Sequence, residues 1–179
     1  MHLTLAGIDT LATTALCARC PSGPAGCCAA PPAVAWADLG RIVLRGGSAF
    51  LQAEMAAGRL RPCARGLAIS RAPGPHGFAC VYLGERGCTL PPERRSVTCN
   101  TYLCAEAHAE AEERGDPQAA GARRAHEALE AALGAWDEAL AAELPAEPAW
   151  DEDFFRALGE AVERVVRRAP LHGSLGPRP

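Results

Sequence analysis

The sequence predicts a mainly helical α+β protein with a small β-hairpin, cysteine-rich loops and a C-terminal helical hairpin. Three observations support this fold class. Apolar residues recur at helical spacing in the second half of the chain, and two short apolar runs flank a Pro/Gly turn in the first half. The segment CARCPSGPAGCC (17–28) has few side chains to bury, so we expect it to form a loop.

Composition and charge divide the chain into two parts. Residues 1–104 contain 10 arginines, 5 acidic residues and all nine cysteines, whereas residues 105–179 contain 8 arginines and 16 acidic residues. The length of 179 residues fits one domain. We expect a cysteine-cluster region over 1–104, acidic helices over 105–170 that pack on it, and a disordered tail over 171–179.

Two helices are predicted in the first part, after an apolar segment 1–16 that forms a short helix or strand. The first helix follows Pro31-Pro32 and ends at Gly46-Gly47. Its apolar face consists of Trp36, Leu39, Ile42 and Val43. Ser48 is the predicted N-cap of the second helix, which ends at Gly58.

A hairpin is predicted between these helices and the remaining cysteines. The runs GLAIS (66–70) and FACVYL (78–83) flank the turn sequence APGPHG. Short apolar runs separated by Pro and Gly are typical of paired antiparallel strands. We therefore expect 66–70 to pair with 78–83.

The acidic part is predicted to form two helices that pack as an antiparallel pair. Asp116-Pro117 marks a helix start, and the breaks at Pro145 and Pro148 separate the two helices. Asp151 is the predicted cap of the second helix. The apolar stripes are formed by Leu129, Leu133, Trp136 and Leu140, and by Phe154, Phe155, Leu158, Val162, Val165 and Val166.

The cysteine spacing indicates metal binding. Cys17 and Cys20 form a C-x2-C pair, a spacing at which one turn aims two sulfurs at one ion. The candidate ligands are Cys17, Cys20, Cys27, Cys28, Cys80, Cys88, Cys99 and Cys104. Adjacent residues in extended backbone point to opposite sides, so Cys27 and Cys28 either serve two centres or one of them is not a ligand. Cys63 is left over and is assigned to packing.

Two kinds of centre remain open, zinc and an iron–sulfur cluster. A zinc ribbon usually presents two C-x2-C pairs, whereas this chain has one. Irregular spacing in a Gly/Pro-rich loop favours an iron–sulfur cluster. We therefore expect a Cys-ligated iron–sulfur cluster or Zn²⁺ bound to residues 1–104.

Compartment and partners follow from composition. The N-terminal segment lacks a basic region of the secretory type, and no apolar run approaches the roughly 20 residues that span a bilayer. We expect a cytoplasmic protein that does not enter a membrane, and reduced thiols there favour metal ligation over disulfides. The acidic helices are a candidate surface for a protein partner. Nucleic-acid binding is not expected, because aromatic residues do not interleave with the arginines.

The cysteine pattern resembles that of the CxxCxxCC-type (YkgJ-like) cysteine-cluster proteins, described as a zinc- or iron-chelating domain. The matching segments are Cys17-x2-Cys20 with the doublet Cys27-Cys28, and CVYLGERGCTLPPERRSVTC (80–99). The six-residue spacer before the doublet and Leu90-Pro91 depart from the family pattern. The resemblance covers roughly residues 15–104 and implies a metal-chelating protein with a structural or redox role.

Two alternatives to this function stay open. The cysteine motifs are also similar to those of the flagellin lysine N-methylase, which implies a protein-modifying enzyme. A zinc-stabilised module that presents its acidic helices to a partner is the other alternative. A deep cavity beside the cysteines, lined by polar groups, would favour the enzyme.

Overall fold

Helices and short antiparallel strands make up the chain, which confirms the predicted mainly helical α+β class. The computed structural model describes residues 1–20 and 22–171 of the chain. The predicted tail lies outside the described residues apart from Leu171. In the described part the α-helices are α1 (Trp36–Leu44), α2 (Ser48–Ala56), α3 (Val97–Thr101), α4 (Ala105–Glu113), α5 (Ala119–Glu143) and α6 (Glu152–Arg168).

The strands are short and pair into small antiparallel sheets. They are β1 (His2–Thr4), β2 (Leu11–Thr13), β3 (Val34–Ala35), β4 (Leu60–Cys63), β5 (Gly66–Ile69), β6 (Arg71–Gly74), β7 (Gly77–Cys80), β8 (Leu83–Gly84) and β9 (Gly87–Cys88). The sheet orders among the described residues are β1-β2, β3-β5-β4, β6-β7 and β8-β9. The predicted segment 1–16 is thus a strand pair that leads into the cysteine-rich loop.

The predicted pairing of 66–70 with 78–83 is wrong. Strand β5 lies between β3 and β4, with Leu67 opposite both Val34 and Pro62. Strand β7 pairs instead with β6, which follows β5 directly in the chain. Leu67 is fully buried, so the central place in a three-stranded sheet gives it more cover than a two-stranded hairpin would.

The helix ends follow the predicted signals with small differences. Asp151 caps α6 as predicted, and its Oδ1 accepts a 2.8 Å hydrogen bond from the Phe154 N–H. Ser48 is the first residue of α2 rather than its cap. Helix α5 begins at Ala119, because the Asp116 carboxylate accepts from the Gln118 N–H and holds the preceding residues in a turn.

Helix α1 packs against both α5 and α6, so the two parts of the chain share one apolar core. Leu39 of α1, Trp136 of α5 and Phe155 of α6 are buried in the same cluster. The crossing of α1 and α6 is close: a Cβ atom on Gly40 would lie 2.1 Å from a methyl carbon of Val162. Helix α5 also caps α1, since Asp137 Oδ1 accepts a 2.7 Å hydrogen bond from the Ala37 N–H.

None of the described helices is both long enough and apolar enough to cross a bilayer.

Candidate metal centre

The first cysteines lie on a chain of tight turns. The Thr14 hydroxyl oxygen accepts from the Leu16 N–H and begins a 3-10 turn over Ala15–Arg19 that carries Cys17. A second 3-10 turn, Gly26–Ala29, carries Cys27 and Cys28. Both turns are short and expose backbone, so the loop depends on local hydrogen bonds for its shape.

Gly26 brings the two halves of this loop together. Its φ of 51° is in the left-handed region, and a Cβ at this position would lie 3.0 Å from the Cys20 sulfur. Glycine adopts this φ readily and leaves room for the sulfur. The Cys20 thiol is therefore held against the turn that carries Cys27 and Cys28.

The second set of cysteines comes from three different elements. Cys80 ends β7, Cys88 lies in β9 opposite Leu83, and Cys99 lies in α3. The Ser96 hydroxyl oxygen caps α3 by accepting a 3.1 Å hydrogen bond from the Cys99 N–H. Strand β7 packs against the turn Gly26–Ala29, so the second set lies next to the doublet.

A cavity of about 350 Å³ lies between these elements. The cysteines that line it are Cys27, Cys28, Cys80, Cys88 and Cys99. Most of the remaining wall is apolar and is contributed by side chains such as Ile42, Phe50, Leu51, Leu60, Ile69 and Leu90. The thiols therefore face a largely apolar wall, and their thiolate forms are soft ligands for zinc or iron.

The polar side chains around the cavity are used in internal hydrogen bonds. Arg94 donates to the carbonyl oxygens of Ile42 and Arg45 at the C-terminal end of α1, and Arg95 donates to the Leu90 carbonyl oxygen at 2.7 Å. The Tyr82 hydroxyl donates to a Glu54 carboxylate oxygen at 2.6 Å. These groups fasten the 82–95 segment to α1 and α2.

Cys104 joins the first set of cysteines rather than the cavity. It precedes α4, and both Leu16 and Cys104 pack against a small apolar cluster of Ala12, Leu103, Ala107 and Ala122. Cys17 follows Leu16 in the chain. The cluster therefore brings the end of α3 and the first cysteine-bearing turn side by side.

The pKa shifts of the thiols reflect these two neighbourhoods. Burial raises the pKa of Cys17, and the charges of Cys27, Cys104 and Cys20 raise it further. Burial also raises the pKa of Cys99, to about 11, with Cys88 and Cys80 adding to the increase. Repulsion between thiolate charges weakens with distance, so sulfurs that raise one another's pKa lie near one another.

Cys27 and Cys28 interact directly. A hydrogen bond from the Cys28 thiol lowers the pKa of Cys27 to about 6, and the same bond raises the pKa of Cys28. Cys28 is also affected by the charges of Cys80 and Cys99, and the charge of Cys27 acts on both Cys17 and Cys80. The doublet thus lies at the boundary between the two sets of cysteines.

The sulfurs are near one another but are not drawn together around a point. Within residues 1–20 and 22–171, no group of three or more Cys, His, Asp or Glu side chains is arranged closely enough to hold an ion as it stands. All nine cysteines are free thiols, and Cys63 in β4 does not line the cavity. Metal ligation of the eight predicted residues therefore stays a prediction.

Asp38 is a positioning residue that the sequence pattern does not reveal. It is 3% exposed, and its Oδ1 accepts a 2.7 Å hydrogen bond from the Val97 N–H at the start of α3. Burial raises the pKa of this carboxyl to about 7, although the hydrogen bond and Arg41 act in the opposite direction. The sequence alone suggests a solvent-exposed acidic residue on α1, and its burial and its bond to α3 are results of tertiary packing.

Two histidines of the helical part, His108 and His126, lie outside the cavity. His126 is half-buried, with its ring centroid 5.7 Å from that of Tyr102. His108 is buried on α4, and burial lowers its pKa. Neither residue is among those that line the cavity with the cysteines.

Comparison with known proteins adds no relative. The chain has no significant match among models of protein families, curated protein sequences or solved structures. Its own structure is thus the basis for describing it: a mainly helical α+β fold with eight cysteines around one cavity and the adjoining loop. The resemblance to the cysteine-cluster proteins rests on the quoted segments alone and stays a prediction.

Proposed function

We propose that this chain is a metal-binding cysteine-cluster protein that holds one or two Cys-ligated centres. The observation that carries the proposal is the grouping of eight free thiols, five of which line a single cavity. The ligands would be Cys17, Cys20, Cys27, Cys28, Cys80, Cys88, Cys99 and Cys104. Thiolates bind zinc and iron–sulfur clusters strongly, and a bound centre would supply cross-links between loops or, as a cluster, electron transfer.

The donor set fits such a centre in two respects. Thiolate sulfur is the donor that zinc and iron–sulfur centres share. The size of the cavity, about 350 Å³, and its apolar wall favour an iron–sulfur cluster slightly over a single ion, because a cluster occupies more space. The chain's own contribution is to hold the thiols and to limit the access of water.

Metal binding also accounts for the placement of otherwise unsupported loops. The described residues between Cys17 and Ala30 include none that is fully buried, so apolar packing contributes little there. A centre that joins Cys28 to Cys99 would link this loop to α3. This is the structural role that small zinc domains use to fold.

The enzymatic alternative receives less support. An active site is expected to combine a cavity with polar groups that converge on a ligand. The arginines at this cavity donate to backbone carbonyls, and the Tyr82 hydroxyl donates to Glu54. We infer a cytoplasmic protein, since thiols stay reduced there, and one whose acidic helices offer a surface to a protein partner.

Anaerobic purification followed by elemental analysis tests the proposal. We expect zinc, or iron with acid-labile sulfide, bound in proportion to the protein. The visible absorption spectrum separates the two, because an iron–sulfur cluster is coloured and zinc thiolate is not. A purified chain that contains neither metal and also fails to take up Zn²⁺ or ferrous iron with sulfide would contradict the proposal.

A further inference from the structure

We propose that the eight cysteines form two separate four-thiolate centres, and that the adjacent residues Cys27 and Cys28 supply one ligand to each. The inference rests on the proposed metal binding and specifies its sites. The loop centre consists of Cys17, Cys20, Cys27 and Cys104. The hairpin centre consists of Cys28, Cys80, Cys88 and Cys99.

The hairpin centre is built on one wall of the cavity. Cys80, Cys88 and Cys99 line the same space although they belong to β7, β9 and α3. Each is fixed by backbone pairing or by a cap: Cys80 lies opposite Arg71, Cys88 opposite Leu83, and the Cys99 N–H is bound by Ser96. Three thiols from separate elements thus border the same cavity.

The loop centre is built on the other side of the doublet. The chain segments that carry Cys17 and Cys104 meet on the small apolar cluster, since Leu16 and Cys104 both pack there. Cys20 is held against the second turn by the close approach to Gly26. These three thiols do not line the cavity, which separates them from the hairpin set.

Each set of three thiols needs a fourth ligand for a closed tetrahedral site. The doublet offers two sulfurs on adjacent residues, and both line the cavity at its boundary with the loop. The turn that carries the doublet packs against β7, which places both sulfurs near Cys80, and we assign Cys28 to the hairpin set because it lies farther along the chain from Gly26 than Cys27 does. Cys27 is then assigned to the loop set. Its sequence neighbour Gly26 lies against the sulfur of Cys20, which belongs to that set.

Binding requires movement of the loops and release of protons. As described, no group of three ligands is close enough to hold an ion, so the sulfurs must be drawn together. Each thiol that becomes a ligand loses its proton to solvent and donates a sulfur lone pair to the metal, whose oxidation state does not change. Gly23 and Gly26, both at positive φ, lie where the loop can adjust.

Anaerobic titration of the reduced, metal-free full chain with Co²⁺ tests the partition. Co²⁺ bound by four thiolates gives visible absorption that reports the number of tetrahedral sites filled. We expect two ions per chain for the parent and one for Cys17→Ser and Cys88→Ser, two substitutions at exposed positions that disturb packing little. The double variant should bind none in this way.

The doublet provides the discriminating measurement. Cys27→Ser combined with Cys17→Ser should still bind one ion, because both changes fall in the loop centre. Cys27→Ser combined with Cys88→Ser should bind none. Cys63→Ser is the matched control and should bind two, and the helical circular dichroism of every variant reports whether it is folded.

Different results distinguish this partition from the proposed function. Binding of a single Co²⁺ by the parent, abolished by either Cys17→Ser or Cys88→Ser, would overturn the two centres while leaving metal binding intact. Equal behaviour of the two double variants would overturn the assignment of Cys27. A parent chain that binds no Co²⁺ and contains no metal would overturn the proposed function itself.

Discussion

The C-terminal helices and the cysteine-bearing loops are stabilised in different ways. Helices α5 and α6 bury whole apolar stripes, and Trp136, Phe155 and Leu158 are at most 2% exposed. The loop from Cys17 to Ala30 contains no fully buried residue among those described. Apolar burial therefore stabilises the helices, whereas it contributes little to the loop.

The free energies of these interactions explain the difference between the helices and the loop. Burying one large apolar side chain contributes about 1.5–3 kcal/mol, and the helical pair buries several. A hydrogen bond such as the one from the Gly23 N–H to the Cys20 carbonyl oxygen contributes about 1 kcal/mol net, which hardly offsets the entropy of ordering the residues involved. The metal ligation proposed above would contribute enough free energy to order the loop.

Metal removal should have the largest effect on the difference in stability between the cysteine-bearing loops and the C-terminal helices. We expect chelation to increase amide hydrogen exchange in 15–30 and 80–104 strongly, because structural zinc sites contribute about 10 kcal/mol or more in small peptides. Exchange in α5 and α6 should change much less, since their burial is independent of the cysteines. Mass spectrometry of peptic fragments measures both regions in one sample.

The Cys63→Ser chain serves as the control for unrelated thiol effects and should respond to the chelator as the parent does. If the loop and α5 become equally labile on chelation, the two regions unfold together and the contrast between them fails.

Truncating the helical core should have the second largest effect. Phe155 is fully buried and contacts Trp150 and Phe154, so Phe155→Ala should lower the free energy of unfolding by about 3–5 kcal/mol. Urea denaturation followed by circular dichroism measures this change. Leu44→Ala, at a side chain that is 48% exposed, is the matched control and should change stability little. Similar losses in the two variants would show that Phe155 is not packed as described.

Removing the charge of Asp38 should change the pH dependence of stability. Its folded pKa of about 7 lies above the ordinary value of 3.8, so the ionised form is disfavoured by folding. The protonated Asp38 carboxyl therefore stabilises the folded state below about pH 4, and this contribution is lost as the pH rises toward 7. Asp38→Asn keeps an oxygen acceptor for the Val97 N–H and should reduce the loss between pH 5 and pH 8 by about 2 kcal/mol.

Urea denaturation of the protein as purified anaerobically, at both pH values, provides the comparison. Asp153→Asn is the control, because Asp153 is exposed and pairs with Arg156 on the surface. Parallel pH profiles for the parent and Asp38→Asn would mean that the Asp38 carboxyl is not desolvated as its burial implies.

Loss of a helix cap should have the smallest effect. Asp151→Ala removes the acceptor for the Phe154 N–H at the start of α6, and such a change costs about 1 kcal/mol. Thermal denaturation should detect a small decrease in Tm relative to the parent. Asp151→Asn, which can also cap a helix, should restore most of the difference, and failure to restore it would assign the effect to charge rather than to capping.

The helical region was predicted well because its signals are local. The stripe at Leu129, Leu133, Trp136 and Leu140 and the cap at Asp151 are properties of neighbouring residues, and both are confirmed. Strand pairing was predicted wrongly because Leu67 gains its partners from residues 34–35 and 60–63, and no local pattern reveals which distant segment is nearer.

The candidate site was predictable in its residues but not in its arrangement. The short spacing of Cys17, Cys20, Cys27 and Cys28 is visible in the sequence. The association of Cys104 with the first turn depends on the apolar cluster around Ala107, and the placement of Cys99 depends on the buried Asp38. Both depend on tertiary packing, which spacing alone does not encode.

The contact between Gly40 and Val162 limits how this protein could be reused in engineering. A methyl group on Gly40 would collide with Val162, so α1 and α6 meet without space for any larger residue. On the side that faces α6, the cysteine-bearing part is therefore covered by that helix and not by solvent. A graft of residues 1–104 into another scaffold would carry an uncovered apolar face, and a transferable version of the site would have to include α5 and α6.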